Sequence, residues 1–395
     1  MSFSIQSPYF ALLCLNFTKF RYMLEVRSFR KTFAEVNLEV MYENYGNLVK
    51  LNNGKPIIPV IKANAYGHGA VEVFKYFYEK GIRRFAVAFL EEAIEISEVG
   101  NNADILIFSP LAPRDIEFLA KYDIFIPIVS DISFIEEMEK RARSLGKKLR
   151  FGIEIDTGMG RLGVHYRDLE KLIEVLGNVK NLELTDVMTH FPSSDFDREF
   201  SLYQIGIFDS FVEKIKKVFP NFFTHVSNSG GVLNIPEASK YDFARCGLSI
   251  YGYYPNLDLR DKVPLRNSMA LKSYIALKKF FGKGESISYN RTYFMEKDGF
   301  VGVVPCGYAD GITTLHSNKM KVLVKGLECH VVGRITMDYM MVLIPSSIDV
   351  GDEVLIFGED EQGGIRVEEF AMSVGMIPYE VTCSISKRVP RAYKG

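Results

Sequence analysis

A lysine at the end of a short apolar run is the first residue of this sequence whose type and setting suggest chemistry. Residues 57–61 predict a buried strand, and Lys62 stands where that strand stops. Gly67 and Gly69 follow it, and glycine permits turns and close backbone approaches that a side chain would prevent. Most lysines at strand ends are simply solvated, so Lys62 is a candidate only if other residues support it.

The composition is that of an ordinary globular protein. The chain has 395 residues, enough for two domains, of which 47% are hydrophobic and 25% charged. A net charge of −1 gives no electrostatic case for binding nucleic acid or an anionic membrane surface. The five cysteines are scattered without paired metal-ligand spacing. This pattern favours a reducing compartment and predicts neither a disulfide framework nor a metal site.

The N-terminal region contains an apolar stretch, residues 9–15, that resembles the core of a signal peptide. It lacks preceding positive charges and a small-residue cleavage site, and it is too short to span a bilayer. We therefore expect a cytoplasmic protein. Residues 1–30 are interpreted as an N-terminal extension to which the pattern assigns no structure, and Met23 is an alternative start.

The region 31–264 alternates short β-rich runs with amphipathic segments. Asn37 is a good N-cap residue, and the apolar spacing after it predicts the first helix. Eight strands are predicted, at 57–61, 85–88, 105–108, 124–129, 149–155, 182–188, 222–226 and 243–246. This alternation favours a TIM-like parallel (β/α)₈ barrel, although a doubly wound open sheet has the same local pattern.

A barrel would gather its active site at the carboxyl ends of the strands. Polar or glycine-rich clusters follow five of the predicted strands, at Lys62, 156–161, His190, 227–229 and 245–247. These positions are the candidate site.

The region 265–395 has a different texture, with long alternating runs and one late helix candidate at 367–374. It predicts a separate, mainly β C-terminal domain. The predicted strands are 268–280, 300–305, 320–325, 330–344 and 353–357.

Motifs in both regions carry a family resemblance. They are VIKANAYGHG (60–69), DTGMGRLG (156–163), MTHF (188–191), HVSNS (225–229), RCG (245–247), SY (288–289), GYADG (307–311), GRITMD (333–338), YE (379–380) and RVPR (388–391). Over about residues 33–393 the chain resembles the alanine racemases, barrel-type isomerases that use pyridoxal 5′-phosphate (PLP). The resemblance implies interconversion of L-alanine and D-alanine, which provides D-alanine for peptidoglycan.

The resemblance also implies a two-base mechanism. Lys62 would hold PLP and act as the base on the D-face, and Tyr289 would be the base on the L-face. His190 would favour the phenolate of Tyr289, and Arg245 would face the pyridine nitrogen of PLP. Since Tyr289 lies in the C-terminal domain, it would reach the barrel of a partner subunit, which implies a homodimer with composite active sites.

Further binding roles follow from the same resemblance. The cofactor-binding positions, besides Lys62, His190 and Arg245, are Tyr66, Arg161, Asn228, Ser229, Gly247, Leu248 and Tyr379. Arg161 and Met337, with Tyr289, would contact the amino-acid substrate. Residues that orient these groups or line the entrance are Glu154, Asp195, Tyr308, Arg334 and Asp338.

Two positions depart from the family pattern. Glu154 stands where many members have a carbamylated lysine, and we hypothesise that its carboxylate replaces the carbamate in positioning Arg161. Thr336 stands where cysteine is common. Alternatives within reach of the same motifs are a serine or broad-specificity racemase, a PLP-dependent amino-acid decarboxylase and a non-catalytic PLP-binding protein.

Overall fold

The computed structural model describes residues 30–361 and 363–395. These residues form two compact units. The first unit comprises Val36–Met269, Arg366–Ile385 and Tyr393–Gly395, and the second comprises Ala270–Ile365 and Ser386–Ala392 with the described residues before Val36. Apart from Arg30, the predicted N-terminal extension lies outside the described residues.

The described chain begins with strand β1 (Phe33–Asn37), which leads into helix α1 (Leu38–Leu51). The side chain of Asn37 accepts a hydrogen bond from the backbone N–H of Val40 at 3.0 Å. One of the unpaired N–H groups of the first turn is thereby satisfied, so Asn37 is the N-cap that the sequence predicted.

The first unit is built on a closed ring of eight parallel strands. Six of them pair in the order β3-β4-β5-β6-β8-β9, and β10 pairs with β2. Parallel bridges between Val60 and Ala86 and between His225 and Phe243 join the two sets. The strands are β2 (Ile57–Pro59), β3 (Arg84–Val87), β4 (Asp104–Ile107), β5 (Phe125–Val129), β6 (Leu149–Asp156), β8 (Leu182–Met188), β9 (Phe223–His225) and β10 (Ala244–Cys246), with the short β7 (Val164–His165) beside β6. The predicted barrel is confirmed, and ring closure excludes the open sheet.

Amphipathic helices follow most strands of the ring. They are α2 (Ala70–Glu79), α3 (Leu90–Ser97), α4 (Ile116–Leu119), α5 (Ile132–Leu145), α6 (Leu169–Asn178), α7 (Arg198–Ile215) and α8 (Ser229–Asn234), with α9 (Val367–Met372) and α10 (Pro378–Ser384) later in the chain. Their apolar faces cover the outside of the ring, where Phe151, Phe208 and Phe211 are at most 1% exposed. Each such side chain contributes about 1.5–3 kcal/mol on burial, so this layer fixes the strand ends that carry the site.

The second unit is mainly β, as the sequence predicted. The order β17-β16-β19-β11-β1-β21 forms one sheet with β20 beside β19, β12-β15-β18 form another, and β13 pairs with β14. The strands are β11 (Met269–Tyr274), β12 (Leu277–Phe281), β13 (Ser286–Ile287), β14 (Tyr293–Phe294), β15 (Gly299–Val304), β16 (Lys321–Val324), β17 (Leu327–His330), β18 (Met340–Ile344), β19 (Glu353–Asp360), β20 (Gly363–Ile365) and β21 (Arg391–Lys394).

Two runs predicted as single strands of the second unit are each divided. Within 268–280 the chain changes sheets, because Ile275 N–H donates to Asp352 O at 2.9 Å and Ala276 N–H donates to Val303 O at 2.8 Å. Within 330–344, β17 ends at His330 and β18 begins only at Met340, and between them Gly333 has a φ of +73° that favours a turn. The second break creates the loop that carries three of the predicted site residues, Arg334, Met337 and Asp338.

Candidate active site

The segment after Lys62 is a left-handed turn. Ala63, Asn64, Ala65 and Tyr66 all have φ between +52° and +54°. This conformation costs about 1–2 kcal/mol for each residue that carries a Cβ atom, so tertiary contacts must hold it. The turn begins at Ala63, immediately after Lys62 and before the glycines that suggested it.

Side chains of neighbouring elements satisfy this strained turn. Glu92 of α3 accepts a hydrogen bond from the N–H of Ala63 at 2.6 Å, and its other carboxylate oxygen accepts one from the N–H of Ala88 at 2.8 Å. Gly67 lies against the carbonyl of Thr382, which would be 2.0 Å from a Cβ atom at that position. The backbone that presents Lys62 is therefore fixed by α3 on one side and α10 on the other.

A cavity of about 760 Å³ opens beside Lys62 within the first unit. It brings together twelve of the predicted site residues, Lys62, Tyr66, Glu154, Arg161, His190, Asp195, Asn228, Ser229, Arg245, Gly247, Leu248 and Tyr379. Lys62, His190, Ser229 and Gly247 stand just beyond the carboxyl ends of β2, β8, β9 and β10. The cavity therefore lies where a barrel places its active site.

One corner of the cavity is rich in hydroxyl groups. Tyr66, Ser229 and Tyr379 line it together with the backbone of Gly247 and Leu248. Burial raises the pKa of Tyr66, so its phenol keeps its proton and can donate a hydrogen bond. A Cβ atom at Gly247 would lie 2.4 Å from Tyr66 Oη, so only glycine leaves room for the backbone to meet a ligand here. Donors around an open backbone suit the phosphate of PLP.

Arg245 is held on the wall of the cavity by a dense set of acceptors. Nη1 donates to Nδ1 of His225 at 2.8 Å and to the His225 carbonyl at 2.7 Å. Nη2 donates to the carbonyl of Thr189 at 2.7 Å and to Nδ1 of His190 at 3.3 Å. Nε–H has no acceptor among the described residues and remains available to a ligand. A pyridine nitrogen that must accept a hydrogen bond fits this donor.

Both imidazoles that contact Arg245 are neutral. Burial and the charge of Arg245 lower the pKa of His190 well below its usual value. Burial likewise lowers the pKa of His225 to about 4, although the hydrogen bond to Asp186 acts in the opposite direction. Because a guanidinium can only donate, Nδ1 of each ring is the acceptor and Nε2 carries the proton. His190 consequently keeps an N–H donor beside the cavity.

The charged side chains around Lys62 alter its proton affinity. Burial, and then the positive charge of Arg161, lower the pKa of Lys62. Glu154 is 2% exposed, and burial raises the pKa of its carboxyl group against the opposing charges of Arg245 and Arg161. No described residue forms an ion pair with Glu154, so its influence on either arginine acts through the cavity rather than through a direct bond.

The remaining predicted residues lie together in the second unit. Ser288 Oγ donates to the Arg334 carbonyl at 2.6 Å, which ties the loop of Tyr289 to the loop that follows Gly333. The N–H of Tyr308 donates to Thr336 O at 3.0 Å, and that of Ala309 donates to Met337 O at 3.0 Å. The structure thus gathers Tyr289, Tyr308, Arg334, Met337 and Asp338 in three connected loops.

Strain also marks the loop of Tyr289. Ser288, Asn290 and Arg291 have φ values of +65°, +61° and +51°. Tyr289 itself is 68% exposed and Met337 is 52% exposed. Backbone held in a costly conformation so that apolar side chains point outward is typical of a functional surface.

Sequence reasoning missed three residues that support the site and one that lines its cavity. Glu92 supports the turn of Lys62, and Asp186 and His225 support Arg245. Asp186 could have been noticed as a charged residue within the apolar run of β8. His225 begins the HVSNS motif, but no role for it followed from the sequence. Cys383 also lines the cavity and was not singled out for it.

The described part of the chain contains no cluster of three or more metal-ligating side chains. Among the same residues, no helix combines the length and apolar character needed to cross a membrane.

Comparison with known proteins identifies relatives across nearly the whole chain. Residues 36–255 match the family model "Alanine racemase, N-terminal domain", and residues 268–393 match "Alanine racemase, C-terminal domain". The alanine racemase of Carboxydothermus hydrogenoformans is 38% identical over 369 residues, which are 92% of this chain and 100% of the relative.

Solved structures agree with these sequence matches. The alanine racemase of Clostridium difficile superposes with a TM-score of 0.84 at 35% identity, covering 92% of this chain and 95% of that one. An alanine racemase from Bartonella henselae, solved with covalently bound pyridoxal phosphate, has a TM-score of 0.82 at 26% identity, with coverage of 92% and 99%.

The barrel, the lysine at its strand end and the hydroxyl-rich corner define a PLP-dependent isomerase. More particularly, the chain belongs to the alanine racemase family.

Proposed function

We propose that this chain interconverts L-alanine and D-alanine by a two-base mechanism and provides D-alanine for peptidoglycan. We further propose that it works in the cytoplasm as a homodimer. The observation that carries the proposal is the cavity, in which Lys62, Arg161, His190 and Arg245 converge beside a phosphate-sized group of donors. When bound, PLP withdraws the electron pair left at Cα after proton removal.

Lys62 is the proposed base on the D-face of the substrate. Burial and the charge of Arg161 lower the pKa of Lys62, which enlarges the fraction of its amine that can accept a proton at neutral pH. The left-handed turn after it lies just beyond the carboxyl end of β2, where Lys62 lines the cavity. Lys62 thereby both holds the cofactor and moves the proton at Cα.

Tyr289 of the partner subunit is the proposed base on the L-face. A base on the opposite face is required, because inversion removes a proton from one side and returns one to the other. Nε2–H of His190 is directed away from Arg245 and would donate to the phenolate oxygen of that tyrosine, which stabilises its deprotonated form.

The proposed homodimer is head-to-tail and two-fold, so each active site combines two chains. The barrel region 31–264 would bind PLP with help from Tyr379, and the region 265–395 would supply the second base. The exposure of Tyr289, Tyr308 and Met337 supports this arrangement, since exposed aromatic and apolar side chains on tied loops suit an interface. In the assembled site Met337 would contact the substrate carboxylate, and Tyr308, Arg334, Asp338 and Asp195 would line the entrance.

The cofactor would be oriented by residues from four strand ends and by Tyr379 of α10. Tyr66, Ser229, Tyr379, Asn228 and the backbone of Gly247 and Leu248 would hold the phosphate. Arg245 would donate Nε–H to the pyridine nitrogen, and because arginine keeps its proton, that nitrogen stays unprotonated. Arg161 would contact the phenolic oxygen and the substrate.

Glu154 is the proposed substitute for a carbamylated lysine. Its buried carboxyl group lies in the cavity with Arg161, and it supplies a negative charge without carbon dioxide chemistry. The absence of an ion pair within 4.0 Å among the described residues means that this charge would position Arg161 at longer range. Thr336, the second departure, is tied to the backbone of Tyr339 through Thr336 Oγ1 at 3.0 Å.

Racemisation in heavy water tests the proposal. The purified protein with PLP is incubated with single L-amino acids in D₂O, and chirality and deuterium at Cα are measured. We expect L-alanine to yield deuterated D-alanine. Equal or greater turnover of L-serine would identify a broader racemase, and release of carbon dioxide would identify a decarboxylase. PLP binding without either reaction would overturn the proposed activity.

A further inference from the structure

A chain of hydrogen bonds runs from Arg245 down through the barrel interior. His225 accepts from Arg245 and, through Nε2, contacts Asp186 Oδ1 at 3.0 Å. Arg84 donates to both oxygens of Asp186 at 2.7 and 2.8 Å, and it lies 3.3 Å from Asp104. Arg84 and Asp104 begin β3 and β4, so the chain connects the amino ends of the strands with the site at their carboxyl ends.

The direction of every proton in this chain is determined by its two ends. Arg245 can only donate, so Nδ1 of His225 must be an acceptor and the ring proton must be on Nε2. A charged carboxylate can only accept, so Asp186 requires that same Nε2–H. Arg84 donates from the far side and makes any other protonation of Asp186 costly.

Burial makes these requirements strict. Asp186 and His225 are 0% exposed and Arg245 is 3% exposed, so water cannot replace a lost partner. Burial by itself raises the pKa of Asp186, but the hydrogen bond from His225 and the charge of Arg84 outweigh it and lower that pKa. Asp186 therefore remains an anion between two arginines.

We propose that Asp186 is a positioning residue for Arg245: it selects the imidazole tautomer of His225 whose Nδ1 accepts from Arg245, and Arg84 holds Asp186 in place for this task. The opposite tautomer would direct an N–H at the guanidinium and force Arg245 to rotate. Rotation would move Nε away from the cavity, where it is the free donor toward a ring nitrogen. A carboxylate that fixes a histidine tautomer for a neighbouring group is established chemistry in other enzymes. This inference rests on the proposed function in so far as Arg245 faces the cofactor ring.

The unmodified protein gives the first test. The chain has six histidines, so ¹⁵N-histidine labelling with long-range ¹H–¹⁵N correlation resolves each ring, and His225→Gln assigns the signal of His225. We expect His225 to show Nε2–H alone at pH 7. A ring with the proton on Nδ1, or a charged ring, would overturn the inference without any change at Asp186.

The second test replaces the carboxylate with an amide of the same shape. An amide at 186 loses the negative charge that attracts His225 Nε2–H, and in either orientation its NH₂ group faces a donor, Arg84 Nη2 or His225 Nε2–H. Asp186→Asn should therefore give a mixed tautomer at His225 and a displaced pH titration of the absorbance of bound PLP. It should lower kcat for L-alanine on the order of 10- to 100-fold, with a smaller change in KM. Asp209→Asn is the matched control, because it alters a carboxylate that is bonded to Tyr241 and takes no part in the hydrogen bonds between Arg84 and Arg245.

The outcomes separate the inference from the proposed function. An unchanged tautomer and PLP titration in folded Asp186→Asn would contradict the positioning role, whatever its activity. If the parent protein did not racemise alanine but His225 had a mixed tautomer in Asp186→Asn, the proposed function would fail and the positioning role would stand. If Asp186→Asn does not fold, Arg84→Lys is measured in its place. This variant keeps the positive charge beside Asp186, so the His225 tautomer should be the same as in the parent.

Discussion

Tyr66 Oη lies 2.4 Å from the point that a Cβ atom on Gly247 would occupy. The contact joins the turn after β2 to the segment after β10, two neighbouring strands of the ring. The ring of Tyr66 also packs against Tyr251 and Tyr379, with centroids 5.0 and 6.3 Å apart. The tyrosine therefore has little room to move aside.

Gly247→Ala should weaken PLP binding about tenfold or more, because the added methyl group displaces Tyr66 and fills the space next to the backbone. Fluorescence titration of the apoprotein with PLP measures the effect. Gly206→Ala is the control, since this glycine of α7 has no atom within 4 Å of a new Cβ. It should keep its PLP affinity and gain up to about 1 kcal/mol in stability. Equal PLP affinities in both variants would refute the proposal that the backbone of Gly247 and the phenol of Tyr66 hold the phosphate of PLP.

Glu92→Ala should destabilise the protein by about 1–3 kcal/mol, because the start of the Lys62 turn and the segment before α3 both lose a charged acceptor. The N–H groups of Ala63 and Ala88 would be left without their carboxylate. Urea unfolding measures the change, and Glu95→Ala on the exposed face of the same helix should change stability by less than about 0.5 kcal/mol. Indistinguishable midpoints for the two variants would show that α3 does not hold the turn.

Glu154→Gln should lower kcat/KM for alanine about tenfold, since Arg161 and Arg245 lose the negative charge of a carboxyl group that acts on both of them. The absorbance spectrum of bound PLP should also change, because Arg161 is proposed to contact the phenolic oxygen of the cofactor. Glu183→Gln, at an exposed position of β8, provides the comparison. Parental kinetics and spectrum in Glu154→Gln would remove the proposed replacement of the carbamate.

His316→Gln should make stability less dependent on pH. Burial, together with the charge of Lys319, lowers the pKa of His316 from 6.5 to about 4. The unfolded chain then binds the extra proton, so the stability from neutral His316 is complete above pH 6.5 and is lost as pH falls through 4. The variant should lose this slope, at most about 1.4 kcal/mol per pH unit.

Urea titrations at several pH values between 7 and 4 measure the slope. His330→Gln, at an exposed histidine, should match the parent. If the free energy of unfolding fell more steeply with decreasing pH in His316→Gln than in the parent, the predicted destabilisation by protonation of His316 would be wrong.

The barrel was predictable from sequence because its strands are apolar runs separated by segments with helical periodicity. The start of α1 was predictable because Asn37 caps the helix through a local hydrogen bond. The left-handed turn at Ala63 was not, because non-glycine residues adopt it only when distant groups such as Glu92 enforce it. Tertiary context likewise decided where the run at Ile275 bends between two sheets.

The site residues also fall into those that local sequence identifies and those that only the fold brings together. Residues within motifs, such as Lys62 and Arg245, were found because their neighbours in sequence identify them. Asp186 and His225 are 39 residues apart and meet only when the barrel closes, so no local pattern joins them. Glu154 was expected beside Arg161, and the structure places both in one cavity without a direct ion pair.

The central claim is that one chain supplies Lys62 and its partner supplies Tyr289. Lys62→Ala and Tyr289→Phe should each abolish racemisation as homodimers, because each removes one base from both sites. Co-expression of the two variants with different tags yields hybrid dimers in which one site is intact and the other lacks both bases. A purified hybrid should recover about half the activity of the parent dimer, measured as D-alanine formed from L-alanine. A hybrid as inactive as either homodimer, at the same PLP content and dimer mass, would contradict the composite site.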